Sequence, residues 1–174
     1  MEVIFNGKND KINECVKFIN ELFEGSNSEH VDFWQDITSA PQFDYSKTSS
    51  KTISEQIRNC NTNVTIKLYK PWWRFSKANA YVTGKHPNTL FLNKRKLYRS
   101  HESIVNTIFH ECVHIADYGD DDNKVTFGHG SNASRGKENT APYWIGKLAG
   151  QYFLHQDDDD MEIEKVELDD DLIE

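Results

Sequence analysis

Residues 101–118 read HESIVNTIFHECVHIADY, bounded by Ser100 and Gly119. At about 100° per residue, with His110 set to zero, Ile104, Val105, Ile108, Phe109, Cys112, Val113, Ile115 and Ala116 fall between about 120° and 300°. Ser103, Asn106, Thr107 and Asp117 share the opposite side with His110 and His114, and Glu111 lies at its flank near 100°. A helix of this pattern has to bury one face and leave the other open, so the rest of the chain must build its core against it. Ser100 is placed to cap its start, Glu102 complements the positive end, and Gly119 is placed to end it.

The remaining chain has enough apolar material for one such core. Of 174 residues, 37% are hydrophobic and 12% aromatic. No run approaches the roughly 18 apolar residues that cross a bilayer. The N-terminus, MEVIFNGKNDKINE, has no basic flank followed by an apolar stretch, so no secretory signal is read there and an intracellular location is expected, with export by a signal-independent route as the alternative. Cys15, Cys60 and Cys112 cannot all pair and lack metal spacing, which argues against a disulfide framework.

Residues 10–24 repeat apolar side chains at helical spacing, through Ile12, Cys15, Val16, Ile19, Leu22 and Phe23. Residues 29–50 read as mixed and loop-rich, and 49–59 as a short helix. Strands are expected at 64–69, 80–83 and 89–93, with a turn over 84–88. A loop rich in Asp, Asn, Gly and Ser spans 119–139, and a last helix runs from Ala141 to His155, with Pro142 in its first turn. The expected fold is α+β, a small antiparallel sheet packed on the helix of residues 101–118 with flanking helices, forming one domain over 1–156.

Charge is segregated. Residues 157–174 hold 11 of the 28 acids and one base, a net of −10, leaving 17 acids and 19 bases in the other 156 residues. This acidic tail is expected to be disordered, because like charges repel and little apolar surface can be buried. Between Lys67 and Arg99 stand nine Lys or Arg and no acid, interleaved with Tyr69, Trp72, Trp73, Phe75, Tyr81, Phe91 and Tyr98. Such a stretch is either a track for single-stranded nucleic acid or a solvated strand face whose rings belong to the core. The tail could also fold back onto it.

His110-Glu111-Cys112-Val113-His114 is an H-E-x-x-H motif. Two imidazoles one turn apart can hold one Zn²⁺, and the adjacent carboxylate can reach a water bound there. A third ligand has three candidates. His129, in Phe127-Gly128-His129-Gly130, lies fifteen residues past His114 and is preferred, because its glycines let the backbone approach a metal. Glu138 precedes the last helix, and Asp117 or Asp120 would be an immediate carboxylate. Asp117 suits a hydrogen bond to a ligand histidine better than ligation itself. Glu111 is the candidate general base, and Tyr143 the candidate donor to a developing oxyanion. The strand 89–93 is placed to pair with an extended peptide, and Ser134, Arg135 and Lys137 to touch substrate. His30, His86, His101 and His155 read as surface or capping residues, and Cys112 as core.

The H-E-x-x-H motif with Gly128-His129-Gly130 beyond it resembles the SprT-like zinc metallopeptidases, which include the Spartan-type DNA–protein crosslink proteases. The resemblance spans about residues 100–150. It implies a zincin-like fold, one zinc held by His110, His114 and His129, Glu111 as general base, and protein substrates that include nucleic-acid-associated ones. Two other functions fit the same residues: a metallopeptidase effector that cleaves one host or rival protein, and a non-catalytic module that binds zinc and nucleic acid. Glu111 argues against the last, since a structural zinc site has no use for a base beside the metal.

Overall fold

The computed structural model describes residues 1–25, 27–72, 77–118, 127–129 and 136–170, with side chains through Gln156. Its elements are β1 (Glu2–Ile4), α1 (Asp10–Glu24), α2 (Ser28–Ser39), α3 (Ser50–Asn59), β2 (Asn63–Tyr69), β3 (Ala80–Thr83), β4 (His86–Asn93), α4 (His101–Tyr118) and α5 (Ala141–Asp170), with a single 3-10 turn at Lys94–Lys96.

Local chemistry sets most of these boundaries. The Asn9 side chain accepts the Ile12 amide at the start of α1. Gly25 ends the helix at φ 64, a left-handed conformation that costs glycine little, and its N–H reaches the Glu21 carbonyl at 3.0 Å. Asn27 and Ser49 cap α2 and α3 in the same way. Helix α2 falls in the segment expected to be loop-rich. Its buried face, His30, Phe33, Trp34 and Ile37, has helical spacing, but the intervening Asp, Gln and Thr dilute that signal. Here His30 is a correction: it is buried, not a surface residue, and its ring meets Phe18 edge-on at 6.5 Å.

The class is mixed helix and sheet, as expected for α+β, but the sheet is not antiparallel. Its order is β1-β2-β4-β3; β1 and β2 are parallel, β2 and β4 are parallel, and only β3 with β4 is antiparallel. The reason lies in the connections. Helices α1 to α3 separate β1 from β2, which permits a parallel return. A tight two-residue turn, Gly84-Lys85, joins only β3 to β4, with Thr83 opposite His86. Residues 70–79 are long enough to carry the chain past β4 and place β3 at the outer edge. Strand β4 is therefore paired on both sides, and the residues expected to offer a free edge, 89–93, do not; the edge strands among the described residues are β1 and β3.

The inner sheet face, Val3, Val64, Ile66, Leu90 and Leu92, shares one hydrophobic core with the apolar face of α4, on which Ile104, Val105, Ile108, Phe109, Cys112 and Val113 are fully buried. Each such aliphatic or aromatic side chain contributes about 1.5–3 kcal/mol. Phe109 stacks on Phe23 at 5.2 Å and meets Phe33 edge-on at 5.3 Å, tying α4 to α1 and α2. On the other side of α4 lies α5. A Cβ at Gly146 would stand 2.7 Å from the Asn106 carbonyl oxygen, and one at Gly150 would stand 3.0 Å from that of Glu102. These two glycines let the helix backbones touch. The backbone of α5 continues to Asp170, beyond the expected stop at His155; the side chains of the acidic segment 157–174 lie outside the described residues. Among the described residues no helix is long and apolar enough to cross a membrane.

Candidate metal centre

The centre is built on α4. The Ser100 hydroxyl accepts the Ser103 amide at 3.4 Å, starting the helix in the register that the sequence pattern requires. One turn apart on its polar face, the rings of His110 and His114 lie 4.9 Å apart between centroids. His129 arrives from the loop beyond α4, with ring centroids 5.3 Å from His110 and 4.7 Å from His114. The Nε2 atoms of His114 and His129 are 3.0 Å apart, and one ring nitrogen from each of the three histidines falls within 4.8 Å of the others. These three residues are close enough to hold a metal ion.

Two features bring His129 there. Asp117, 1% exposed at the end of α4, accepts the Phe127 amide at 3.3 Å on each carboxylate oxygen. The Phe127 side chain is fully buried, so the backbone two residues before His129 is held by a polar and an apolar anchor together. Of the other third-ligand candidates, Glu138 is exposed, its Oε1 accepts the Gly136 amide at 3.3 Å, and it is not part of the cluster. Asp120 lies outside the described residues.

The histidines suit a metal electrostatically. Burial, then the neighbouring imidazoles, pushes His110 down to about 3; burial, then His129, pushes His114 down to about 4. Both are neutral at ordinary pH and carry free lone pairs. A hydrogen bond with the Pro142 backbone acts on His110 in the opposite, upward direction. Three imidazoles with converging ring nitrogens suit a borderline divalent cation.

Glu111 is buried at the flank of the cluster, and burial raises its carboxyl to about 7 against an opposing hydrogen bond from the Val82 backbone on β3. Sequence reasoning had no means of finding Val82, since the contact joins a helix to the edge strand. Tyr143, in the first turn of α5, lies 4.5 Å from His110 and 5.2 Å from His129 between ring centroids. Its phenol is pushed up by burial, then by Glu111 and Glu138. The close crossing at Gly146, one turn later, where an added Cβ would stand 3.1 Å from His110 Cβ, sets that approach. Its signal in the sequence is the spacing Gly146-x-x-x-Gly150.

Other candidates are placed elsewhere. The Lys137 ammonium sits 3.7 Å over the Tyr45 ring, while Ser134 and Arg135 lie outside the described residues. His101 pairs with Glu14 at 2.9 Å and stacks on Phe153; His86 and His155 are exposed. Cys112 is fully buried, facing the core.

The described rings of the basic stretch are not core. Phe91 stands between the buried Leu90 and Leu92 and so faces away from the helices, where it stacks on Tyr81 at 5.0 Å, and Tyr81 meets Tyr69 at 4.9 Å. Trp73, Arg74 and Phe75 lie outside the described residues. Compared with family models, curated proteins and solved structures, the chain matches none.

Proposed function

We propose that this protein is a zinc-dependent endopeptidase that hydrolyses peptide bonds of protein substrates. The observation that carries the reading is the buried carboxyl of Glu111 beside three converging imidazoles. His110, His114 and His129 would hold the ion. Once bound, zinc supplies Lewis-acid polarisation of the scissile carbonyl and of water.

The protein's own groups do the rest. Glu111, with its carboxyl near neutrality, takes the proton of the attacking water and passes it to the leaving amine. The Tyr143 phenol, which packs on the ligand rings and stays protonated, donates a hydrogen bond to the developing oxyanion. An extended substrate lies along the outer side of β3, where it takes over the Val82 backbone from Glu111, and this brings a peptide carbonyl beside the base.

The test is elemental analysis of the wild type, His129→Ala and Glu138→Ala, together with proteolysis of an unfolded protein substrate by the wild type and Glu111→Gln. About one zinc per chain, lost in His129→Ala and kept in Glu138→Ala, is expected, along with a loss of cleavage in Glu111→Gln that leaves zinc in place. A Glu111→Gln protein that still cleaves would remove the enzymatic reading.

A further inference from the structure

We propose that the carboxyl end of the three parallel strands is a binding site for single-stranded nucleic acid. The site is separate from the histidine cluster and does not rest on the peptidase reading. Because β1, β2 and β4 run in the same direction, the segments that leave them gather at one end of the sheet. Ile4 pairs with Thr65, four residues before β2 ends, so residues 5–9 run along the second half of β2, while Tyr69 pairs with Asn93 and residues 70–72 leave beside the turn at Lys94–Lys96. Ligand sites form at such strand ends because loops there diverge and leave a crevice.

A crevice is present. A cavity of about 750 Å³ lies between residues 5–9, the second half of β2, Lys94 and Leu97. Its lining contains three lysines, Lys8, Lys67 and Lys94, one from each strand or its exit, and no acidic residue. All three are exposed, and none of their side chains makes a hydrogen bond or ion pair to a described residue. Three cations around one concave space, with no counter-charge, repel one another and are relieved by an anion.

The rings decide which anion. Trp72 is 94% exposed and follows β2 by three residues; Tyr98, 79% exposed, follows the 3-10 turn by two. Neither packs against another described ring, although exposing large aromatic surface to water is unfavourable. Flat aromatic faces beside phosphate-binding lysines are what an unpaired base requires, whereas a duplex hides its base faces in the stack. Lone phosphate or an acidic polypeptide would use the lysines and leave both rings without a role.

The test is fluorescence anisotropy of the full chain with a labelled oligothymidylate of about 12 nucleotides, across roughly 50 to 200 mM salt. Poly-glutamate and a duplex of equal length serve as competitors. Saturable binding is expected, with the single strand preferred to both. The K8A/K67A/K94A triple variant should bind at least about tenfold more weakly, with the log–log salt slope reduced by about 2, from roughly 0.7 per phosphate contact. W72A and Y98A should each bind at least about fivefold more weakly. These side chains are exposed, so each variant should keep the wild-type circular dichroism; Lys67→Glu provides a second probe of the same charge. Absence of saturable binding, a triple variant that binds like wild type, or poly-glutamate competing as well as the oligonucleotide with W72A and Y98A unchanged would each overturn the assignment.

Discussion

The Asp117 carboxylate holds the Phe127 amide at 3.3 Å from both of its oxygens, fastening the end of α4 to the loop that carries His129. Hydrogen bonds to a charged acceptor contribute about 1.5–3 kcal/mol, and a buried N–H left without one is costly. In Asp117→Ala the loop loses its polar anchor while all three ligand side chains remain. Zinc affinity, measured by chelator competition, should fall about 10- to 100-fold. Unchanged affinity would show that Phe127 burial alone holds the loop.

Gly146 reports on how α5 is seated. A Cβ there would meet the Asn106 carbonyl oxygen at 2.7 Å, and a backbone atom cannot swing away as a side-chain tip can. Gly146→Ala should cost about 1–3 kcal/mol, lowering Tm by roughly 2–10 °C. Gly84→Ala, with nothing within 4 Å of the added carbon, is the control, expected within about 0.5 kcal/mol of wild type. Equal effects of the two in thermal melts would contradict the close crossing.

Tyr143→Phe separates oxyanion stabilisation from packing, because the ring that lies 4.5 Å from His110 is kept and only the hydroxyl is removed. Under the peptidase reading kcat should fall about 10²- to 10³-fold with KM little changed and zinc retained. Wild-type kcat would assign Tyr143 to packing.

The metal-free protein should show a divided pH dependence. His110 and His114 have folded values of about 3 and 4, below the ordinary 6.5, so their contribution is intact above pH 6.5 and is lost as pH falls toward 4 and 3. Glu111 has the opposite sign. Its folded value of about 7 exceeds the ordinary 4.5, so its contribution is present below pH 4.5 and lost as pH rises through 7. The two trends oppose each other between 4.5 and 6.5, and below 4.5 only the histidines act. Urea melts on chelator-treated protein should therefore show the stability advantage of Glu111→Gln over wild type above pH 7 and its disappearance below about pH 4.5. An advantage independent of pH would mean that Glu111 is not desolvated.

The helical elements were legible where a single chain segment carried its own pattern. Apolar spacing located α1 and α4, and α4 came with the correct buried face, because the period of the backbone alone decides which side chains share a side. Helix α2 was lost because polar residues separate its four buried positions. Strand β1 was lost because three residues carry no measurable alternation. The parallel pairing of β2 with β4 was also out of reach. Alternation says which face of a strand is buried, and the direction of its neighbour depends on how the chain returns.

The candidate centre divides along the same line. That His110 and His114 project together, with Glu111 beside them, follows from five consecutive residues of one helix and about 100° per residue. Whether His129 or Glu138 joins them was open along the chain, since both lie in the long loop over 119–139. Asp117 and Phe127 bring His129 in, while Glu138 stays at the surface bonded to Gly136. Tyr143 and Val82 reach the centre through the crossing of α5 at Gly146 and the edge position of β3. Periodicity is a property of neighbouring residues and can be read locally. Convergence of residues from four separate elements arises from packing, and exists only once the chain has folded.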